Sequence, residues 1–206
     1  MGESGSGKTT SLRNLDPKHT YIIDSDKKGL SWKGWKTQYN TENTNYMKES
    51  NVLVVRSVIA NIAEKASHIK TIIVDTINGI MIDDEMRRSK EKGFDKWADM
   101  ASCIWELVSE SHMYRDDLTV IFVAHVQTEK DDSGVTWSRI KTSGKKLDKI
   151  VLESKFTTVL FAKCIEGKYK FETQSKNSTA KSPMGAFNEF EIDNDIKVVM
   201  DALKEF

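Results

Sequence analysis

The chain begins MGESGSGKTT (residues 1–10), and this stretch decides the fold. Gly2, Gly7, Lys8 and Thr9 fit the pattern G-x-x-x-x-G-K-[ST] in full. Glycines allow successive backbone N–H groups to turn towards a phosphate without a Cβ in the way. The lysine of such a loop reaches the β- and γ-phosphates, and the threonine hydroxyl ligates Mg²⁺. The predicted phosphate-binding residues are Gly2, Glu3, Ser4, Gly5, Ser6, Gly7, Lys8, Thr9 and Thr10.

Other interpretations of this start are weaker. A disordered Gly/Ser-rich tag is one alternative, but apolar strand patterns follow the loop. The first residues also fit a myristoylation pattern, although one glycine cannot both carry an acyl chain and wrap a phosphate. A loop of this kind normally follows a β-strand, yet only Met1 precedes Gly2. We expect either that the natural protein starts earlier with a short apolar run, or that this first strand is missing or truncated.

The composition indicates one soluble domain. The chain has 206 residues, and its 31 Lys and Arg balance its 31 Asp and Glu, which does not favour a strongly basic nucleic-acid binder. Two cysteines, Cys103 and Cys164, are too few for a disulfide framework or a zinc site. No run approaches the ~20 apolar residues of a membrane span. We therefore expect a cytoplasmic protein with no membrane partner.

Apolar runs alternate with helical patterns along the chain, which predicts a single α/β domain over residues 1–206 with a mostly parallel central sheet flanked by helices. The predicted strands are Tyr21–Asp24, Asn51–Arg56, Thr71–Asp75, Thr119–Ala124, Thr157–Ala162 and Lys168–Glu172. The predicted helices are Thr9–Leu15, Val58–His68, Phe94–His112 and Asp195–Leu203. Ligands bind such sheets at the carboxyl ends of the strands.

Acids end two of these strands. Asp75 closes an all-apolar strand and fits the second acid that holds Mg²⁺, with a turn acid as the alternative. The next residue is Thr76, where many ATPases place a water-activating Glu. Asp24 and Asp26 project to the same side if their strand persists, so either could be the catalytic base. The alternative is a solvated Asp-Ser-Asp turn.

His125 and the stretch after it are the remaining polar candidates. His125 closes the apolar strand TVIFVA, where a polar residue can contact the γ-phosphate; a merely half-exposed histidine is the alternative. A strand-turn-strand pattern follows at about 127–143. Its return arm interleaves an aromatic with cations, a pattern typical of single-stranded DNA binding, although a solvated hairpin fits as well. The candidate DNA contacts are Trp137, Arg139 and Lys141.

A second aromatic and basic stretch is GLSWKGWK, at residues 29–36. Exposed tryptophans favour an interface or base stacking, and burial against the domain is an equal alternative for Trp32 and Trp35.

In order, the chain has the phosphate loop, YIIDSD, NVLVV, TIIVD, VIFVAH and a basic hairpin. This order resembles the RecA-type ATPase core. GLSWKGWKTQYN and the tail FETQSKNSTAKSPMGAFNEFEIDNDIKVV resemble, more closely, the small single-domain RecA-like proteins of bacteriophages that promote single-strand annealing.

The resemblance implies an ATP- and Mg²⁺-dependent recombination protein of a phage, acting in the host cytoplasm. It implies that Lys8, Asp26 and His125 serve hydrolysis, although the family acid is a glutamate, and that Thr9 and Asp75 hold the metal. Lys145 and Lys146 would act across a subunit interface of a ring or filament. Single-stranded DNA is the implied partner, with a single-strand-binding protein as a further one. A nucleotide-gated loader without turnover and a small-molecule kinase remain alternatives.

Overall fold

The computed structural model describes residues 1–93, 95–130, 132–143 and 149–206, which group into two compact units. We call Asp16–Val123 with Thr142–Val151 the sheet unit. We call Met1–Leu15, Ala124–Lys141 and Leu152–Phe206 together the loop unit, because it contains the phosphate-loop sequence. Within the described ranges, no helix is both long enough and apolar enough to cross a membrane.

Four parallel strands form the core of the sheet unit. They are β1 (Thr20–Asp24), β2 (Tyr46–Met47), β3 (Thr71–Asp75) and β4 (Thr119–Val123), in the order β2-β1-β3-β4. All of β3 is buried, as expected for a central parallel strand. Asp24 and Asp75 are register partners, so the two acids end neighbouring strands at one edge. The predicted α/β class, with a parallel sheet flanked by helices, is confirmed.

The helices of this unit are α1 (Trp35–Gln38), α2 (Val52–Lys65), α3 (Ile77–Arg87) and α4 (Asp95–Glu110). The predicted strand over residues 51–56 is wrong, because these residues begin α2. The Asn51 side chain caps the helix by accepting a hydrogen bond from the Leu53 N–H. Val52, Val55, Ile59 and Ile62 are buried along one face, whereas Leu53 is 62% exposed.

The loop unit is mainly antiparallel. Strands β5 (Val126–Lys130) and β6 (Thr136–Ile140) form the predicted hairpin, and β7 (Phe161–Ile165), β8 (Lys168–Glu172) and β9 (Glu191–Asp193) form a second sheet. The last helix, α5 (Ile196–Ala202), is capped by Asp195. The predicted strand over residues 157–162 starts late, at Phe161, because Val159 instead makes an isolated antiparallel bridge with Lys181.

The helix predicted over residues 9–15 is shorter in the structure. Only Thr10–Leu12 is helical, as one 3₁₀ turn, and Leu152–Lys155 forms another. The Leu15 N–H still bonds the Leu12 carbonyl at 3.1 Å, but the chain then turns at Asp16. The dipole of a long helix is therefore absent at the end of this loop.

Candidate functional site

The phosphate-loop sequence starts between two neighbouring backbone segments of the loop unit. Gly2 makes parallel bridges with both His125 and Ala162, and its N–H donates to the Ala124 carbonyl at 3.0 Å. A Cβ at Gly2 would lie 2.6 Å from the Ala162 carbonyl oxygen and 2.5 Å from the Ser6 Oγ. Only glycine fits this crowded place, which explains the first glycine of the pattern. The bridge also brings the His125 backbone next to the loop.

Lys8 folds back over the loop. Its Nζ donates to the Gly2 carbonyl at 2.8 Å and to the Glu3 carbonyl at 2.7 Å, and the residue is 9% exposed. The Ser6 hydroxyl is buried, with no hydrogen-bond partner within the part of the chain described. A buried ammonium and a spare hydroxyl donor within one loop suit a multiply charged anion such as a triphosphate.

Thr9 has helical backbone angles (φ −64°, ψ −38°) and precedes the 3₁₀ turn. The Ser11 hydroxyl fixes this turn by donating to the Lys8 carbonyl at 2.6 Å. Among the described residues, no three His, Cys, Asp or Glu side chains group as a metal site. Mg²⁺ in nucleotide sites is usually held by one or two protein ligands together with substrate phosphates. The Thr9 hydroxyl is therefore a candidate Mg²⁺ ligand in this loop.

An open cleft of about 260 Å³ runs along the loop. Residues 3–6 of the loop form one wall, and residues 161–164 of β7 form the other. Lys163 stands in the β7 wall and is paired with the buried Glu172 and with Glu191 at 3.3 Å. The charge of Lys163 is therefore partly neutralised by these two carboxylates.

Two side chains far along the sequence lie against Gly7, the second glycine of the G-x-x-x-x-G-K-[ST] pattern. Gly7 has φ +88°, and a Cβ there would lie 2.6 Å from the Tyr169 Cδ1 and 3.1 Å from the Asn194 Oδ1. Tyr169 lies on β8 and Asn194 directly follows β9. Neither residue could be predicted from the sequence, because nothing local in YKF or DND signals proximity to the loop.

The sheet unit places the first strand-end acid in a structural role. One oxygen of the buried Asp24 accepts hydrogen bonds from the Gly29 N–H and the Tyr46 hydroxyl, both at 2.7 Å. These bonds tie the segment after β1 and the short strand β2 to the sheet edge. Burial, followed by the hydrogen bond to Asp24, raises the pKa of the Tyr46 phenol above its ordinary value.

This raised pKa predicts a pH dependence of stability. The folded state keeps the Tyr46 proton at pH values where the unfolded chain loses it. The contribution is thus fully present below the ordinary pKa of 10.0 and is lost as the pH rises further. We expect Tyr46→Phe to lower the free energy of unfolding by about 0.5–1.5 kcal/mol at pH 7, and to lose less stability than the wild type above pH 10. Urea unfolding at pH 7 to 11 measures the stability difference at pH 7 and the loss of stability above pH 10. Equal losses above pH 10 in the wild type and Tyr46→Phe would contradict the role of Tyr46 in this pH dependence.

The second strand-end acid is more accessible. Asp26 is half-buried; its Oδ1 accepts from the Thr76 hydroxyl at 3.0 Å and its Oδ2 from the Lys28 ammonium at 2.6 Å. Burial lowers the Lys28 pKa, but the hydrogen bond to Asp26 and the nearby carboxylates of Asp75 and Asp24 outweigh it, so the pKa is raised. Lys28 is therefore charged at neutral pH and holds Asp26 in place.

Asp75 ends β3 as predicted and is 1% exposed. Its carbonyl accepts from the Ser25 N–H at 2.9 Å, which joins the ends of β3 and β1. The peptide bond from Asp75 to Thr76 is cis. Thr76, at the position where many ATPases have a Glu, is fully buried and caps α3 by accepting a hydrogen bond from the Gly79 N–H. Thr76 thus orients Asp26 and cannot itself activate water.

Of the three residues predicted to contact DNA, the hairpin leaves Trp137 and Lys141 accessible and buries Arg139. Trp137 is half-buried opposite Glu129, and Lys141 is exposed at the end of the return arm. Arg139 is 6% exposed and its guanidinium pairs with Glu129 at 3.2 Å, so it braces the hairpin from within. Lys145 and Lys146 lie outside the described residues.

The tryptophans of GLSWKGWK pack within the sheet unit, which favours the burial alternative. Trp32 meets the Tyr39 ring edge-on at 6.0 Å between centroids and donates to Gln38 at 2.8 Å. Trp35 lies 5.3 Å from the Tyr46 ring. These aromatic contacts hold the segment after β1 in place beside Asp24.

A comparison with curated proteins gives no match. A family model described as the AAA domain matches residues 1–184, which is most of the chain. The match indicates a P-loop nucleotide-binding domain, for which ATPase activity is the general expectation. The chain therefore belongs to the AAA domain family.

Proposed function

We propose that this chain binds ATP with Mg²⁺ at residues 2–10, hydrolyses it, and uses the cycle to bind single-stranded DNA and promote strand annealing or exchange. The observation that carries the proposal is the position of Lys8. Its buried ammonium rests on the carbonyls of Gly2 and Glu3, at 2.8 and 2.7 Å, in a loop that folds around its glycines. Phosphate oxygens can replace these neutral carbonyls and bind the ammonium more strongly.

Each remaining part of the reaction has a candidate residue. Mg²⁺ supplies charge neutralisation for the β- and γ-phosphates, and the Thr9 hydroxyl is its candidate ligand in the loop unit. Asp75, in the sheet unit, stays a sequence prediction for the same metal. Asp26 is the candidate general base, because Asp24 is buried and already accepts two hydrogen bonds. His125 is the candidate γ-phosphate contact, supported by the backbone bridge to Gly2.

The proposed DNA contact rests on Trp137 and Lys141. A half-exposed ring can stack on a base, and the exposed Lys141, four residues further along the same arm, can pair with a phosphate. Arg139 contributes indirectly, by bracing the hairpin through Glu129. A homo-oligomer with Lys145 or Lys146 acting across the interface completes the proposal, and sedimentation with and without ATP tests it.

One assay separates this function from its alternatives. The ATPase rate is measured against added single-stranded DNA at several salt concentrations, because phosphate contacts make DNA binding salt-sensitive. DNA-stimulated turnover that weakens with salt supports the proposal. Turnover only with a small phosphate acceptor would instead identify a kinase, and ATP binding without turnover a nucleotide-gated loader.

Substitutions in the hairpin test the DNA contact. We expect Trp137→Ala to weaken single-strand binding by ~1–3 kcal/mol if the ring stacks on a base, whereas Trp137→Phe keeps most of the affinity. Lys141→Ala should reduce the slope of log affinity against log salt concentration by about 1, because one phosphate contact is lost. Fluorescence anisotropy with a labelled oligonucleotide measures both effects. Unchanged affinity and salt slope in the Trp137→Ala, Lys141→Ala double variant would remove the hairpin from the DNA site.

A further inference from the structure

The side chain of Asn194 is buried without satisfying its hydrogen bonds. It is 3% exposed, and neither its amide oxygen nor its amide nitrogen has a hydrogen-bond partner in the described parts of the chain. A buried amide with no partner is costly, and most buried polar side chains avoid it. Such a group is therefore a candidate for contact with a ligand.

The backbone of Asn194 is fixed to the segment that follows the phosphate loop. Arg13 donates to the Asn194 carbonyl at 2.8 Å and to the Thr10 carbonyl at 3.1 Å. The next residue, Asp195, accepts from the Asn14 amide at 2.5 Å. These contacts lie within the loop unit, and they hold the Asn194 amide at a defined position relative to residues 7–14.

Gly7 shows how close the amide is to the loop. A Cβ on Gly7 would stand 3.1 Å from the Asn194 Oδ1 and 2.6 Å from the Tyr169 Cδ1. The amide and the aromatic ring therefore meet the same loop residue, immediately before Lys8. Tyr169 is 44% exposed, so its ring is the neighbour that can turn to admit a flat ligand.

We propose that Asn194 and Tyr169 receive the base of the nucleotide whose triphosphate the loop binds, and that they favour adenine. An Asn amide pairs with adenine by accepting from the N6 amino group and donating to an adjacent ring nitrogen. An aromatic ring stacks on any base. On its major-groove edge, guanine presents two acceptors, which would leave the Asn194 oxygen without a donor.

This inference rests on the proposed triphosphate site, but it adds a residue that the family match does not reach. The match ends at residue 184, whereas Asn194 lies ten positions later in the chain. Base selection would then come from the C-terminal segment between β9 and α5. Phosphate binding would come from the first ten residues.

The test compares three ligands: ATP, the triphosphate of purine riboside, which lacks only the N6 amino group, and inorganic tripolyphosphate. Calorimetry with Mg²⁺ measures each dissociation constant. We expect the wild-type protein to bind ATP about tenfold more tightly than the purine analogue, since a buried hydrogen bond is lost. Asn194→Leu, which matches the amide in shape, should abolish that preference and leave tripolyphosphate binding unchanged.

Tyr169 gives an independent readout. Tyr169→Ala should weaken ATP and the purine analogue by the same factor, whereas Tyr169→Phe keeps the stacking ring and the affinity. Equal binding of ATP and the analogue by the wild type, or a preference retained by Asn194→Leu, would overturn the inference while leaving the triphosphate site intact. Failure of the wild type to bind either ATP or tripolyphosphate would instead overturn the proposed function, and the inference with it.

Discussion

Replacing Lys8 with alanine is expected to reduce ATP hydrolysis by about 10²–10³-fold, the cost of removing one preorganised charge stabiliser from a transition state. The ammonium is buried and lies against the Gly2 and Glu3 carbonyls, so it is already inside the loop that would hold the phosphates. Its loss removes a positive charge that no exposed lysine can replace, because exposed charges are screened by solvent. A coupled phosphate-release assay and calorimetry with ATP and Mg²⁺ measure the loss.

Two further variants make the Lys8 result interpretable. Lys8→Met keeps the length of the buried side chain without the charge, so an equal loss in both variants identifies the charge as the cause. Lys65→Ala removes an exposed lysine from α2 and should leave activity unchanged. Urea unfolding of each protein checks that the fold persists. A full ATPase rate in Lys8→Ala would refute the assignment of residues 2–10 as the nucleotide loop.

The central strands could be predicted because their burial leaves a continuous sequence signal. TIIVD at residues 71–75 is apolar up to its acid, and the structure gives β3 those bounds. The same signal failed at residues 51–56, where four apolar residues in a row mimic a buried strand. There the run Val52, Leu53, Val54, Val55 spans both faces of a helix, and only tertiary contacts decide which side is buried.

The candidate site also has a part that the sequence predicts and a part that it does not. Its contiguous part, residues 2–10, follows from the spacing of glycines, lysine and threonine. The role of Asp24 could not be predicted, because it depends on the distant hydroxyl of Tyr46. Tyr169 and Asn194 meet Gly7 only through the folding of the antiparallel sheet of β7, β8 and β9. Short-range patterns identify a loop, but they do not identify the side chains that surround it.

The sequence leaves two candidates for the catalytic base, Asp24 and Asp26, and the structure favours Asp26 because it is the more accessible of the two. Asp26→Asn should lower kcat by about 10²–10⁴-fold, the usual contribution of a general base. The amide matches the carboxylate in shape and can still accept from Thr76, so ATP affinity should change little. The pair with Lys28 is partly exposed, so its loss should cost only about 0–1 kcal/mol of folding stability.

Asp24→Asn is the matched comparison, because it makes the same change two residues earlier. Asp24 is buried and binds Tyr46 and the Gly29 N–H, so this variant should lose folding stability. Asp201→Asn, which breaks an exposed lysine pair on α5, should change neither property. Single-turnover hydrolysis and urea unfolding then separate chemistry from stability. If Asp26→Asn retains its rate while Asp24→Asn loses its own without unfolding, the base is Asp24. It would then act through Oδ1, because Oδ2 accepts the bonds from Tyr46 and Gly29.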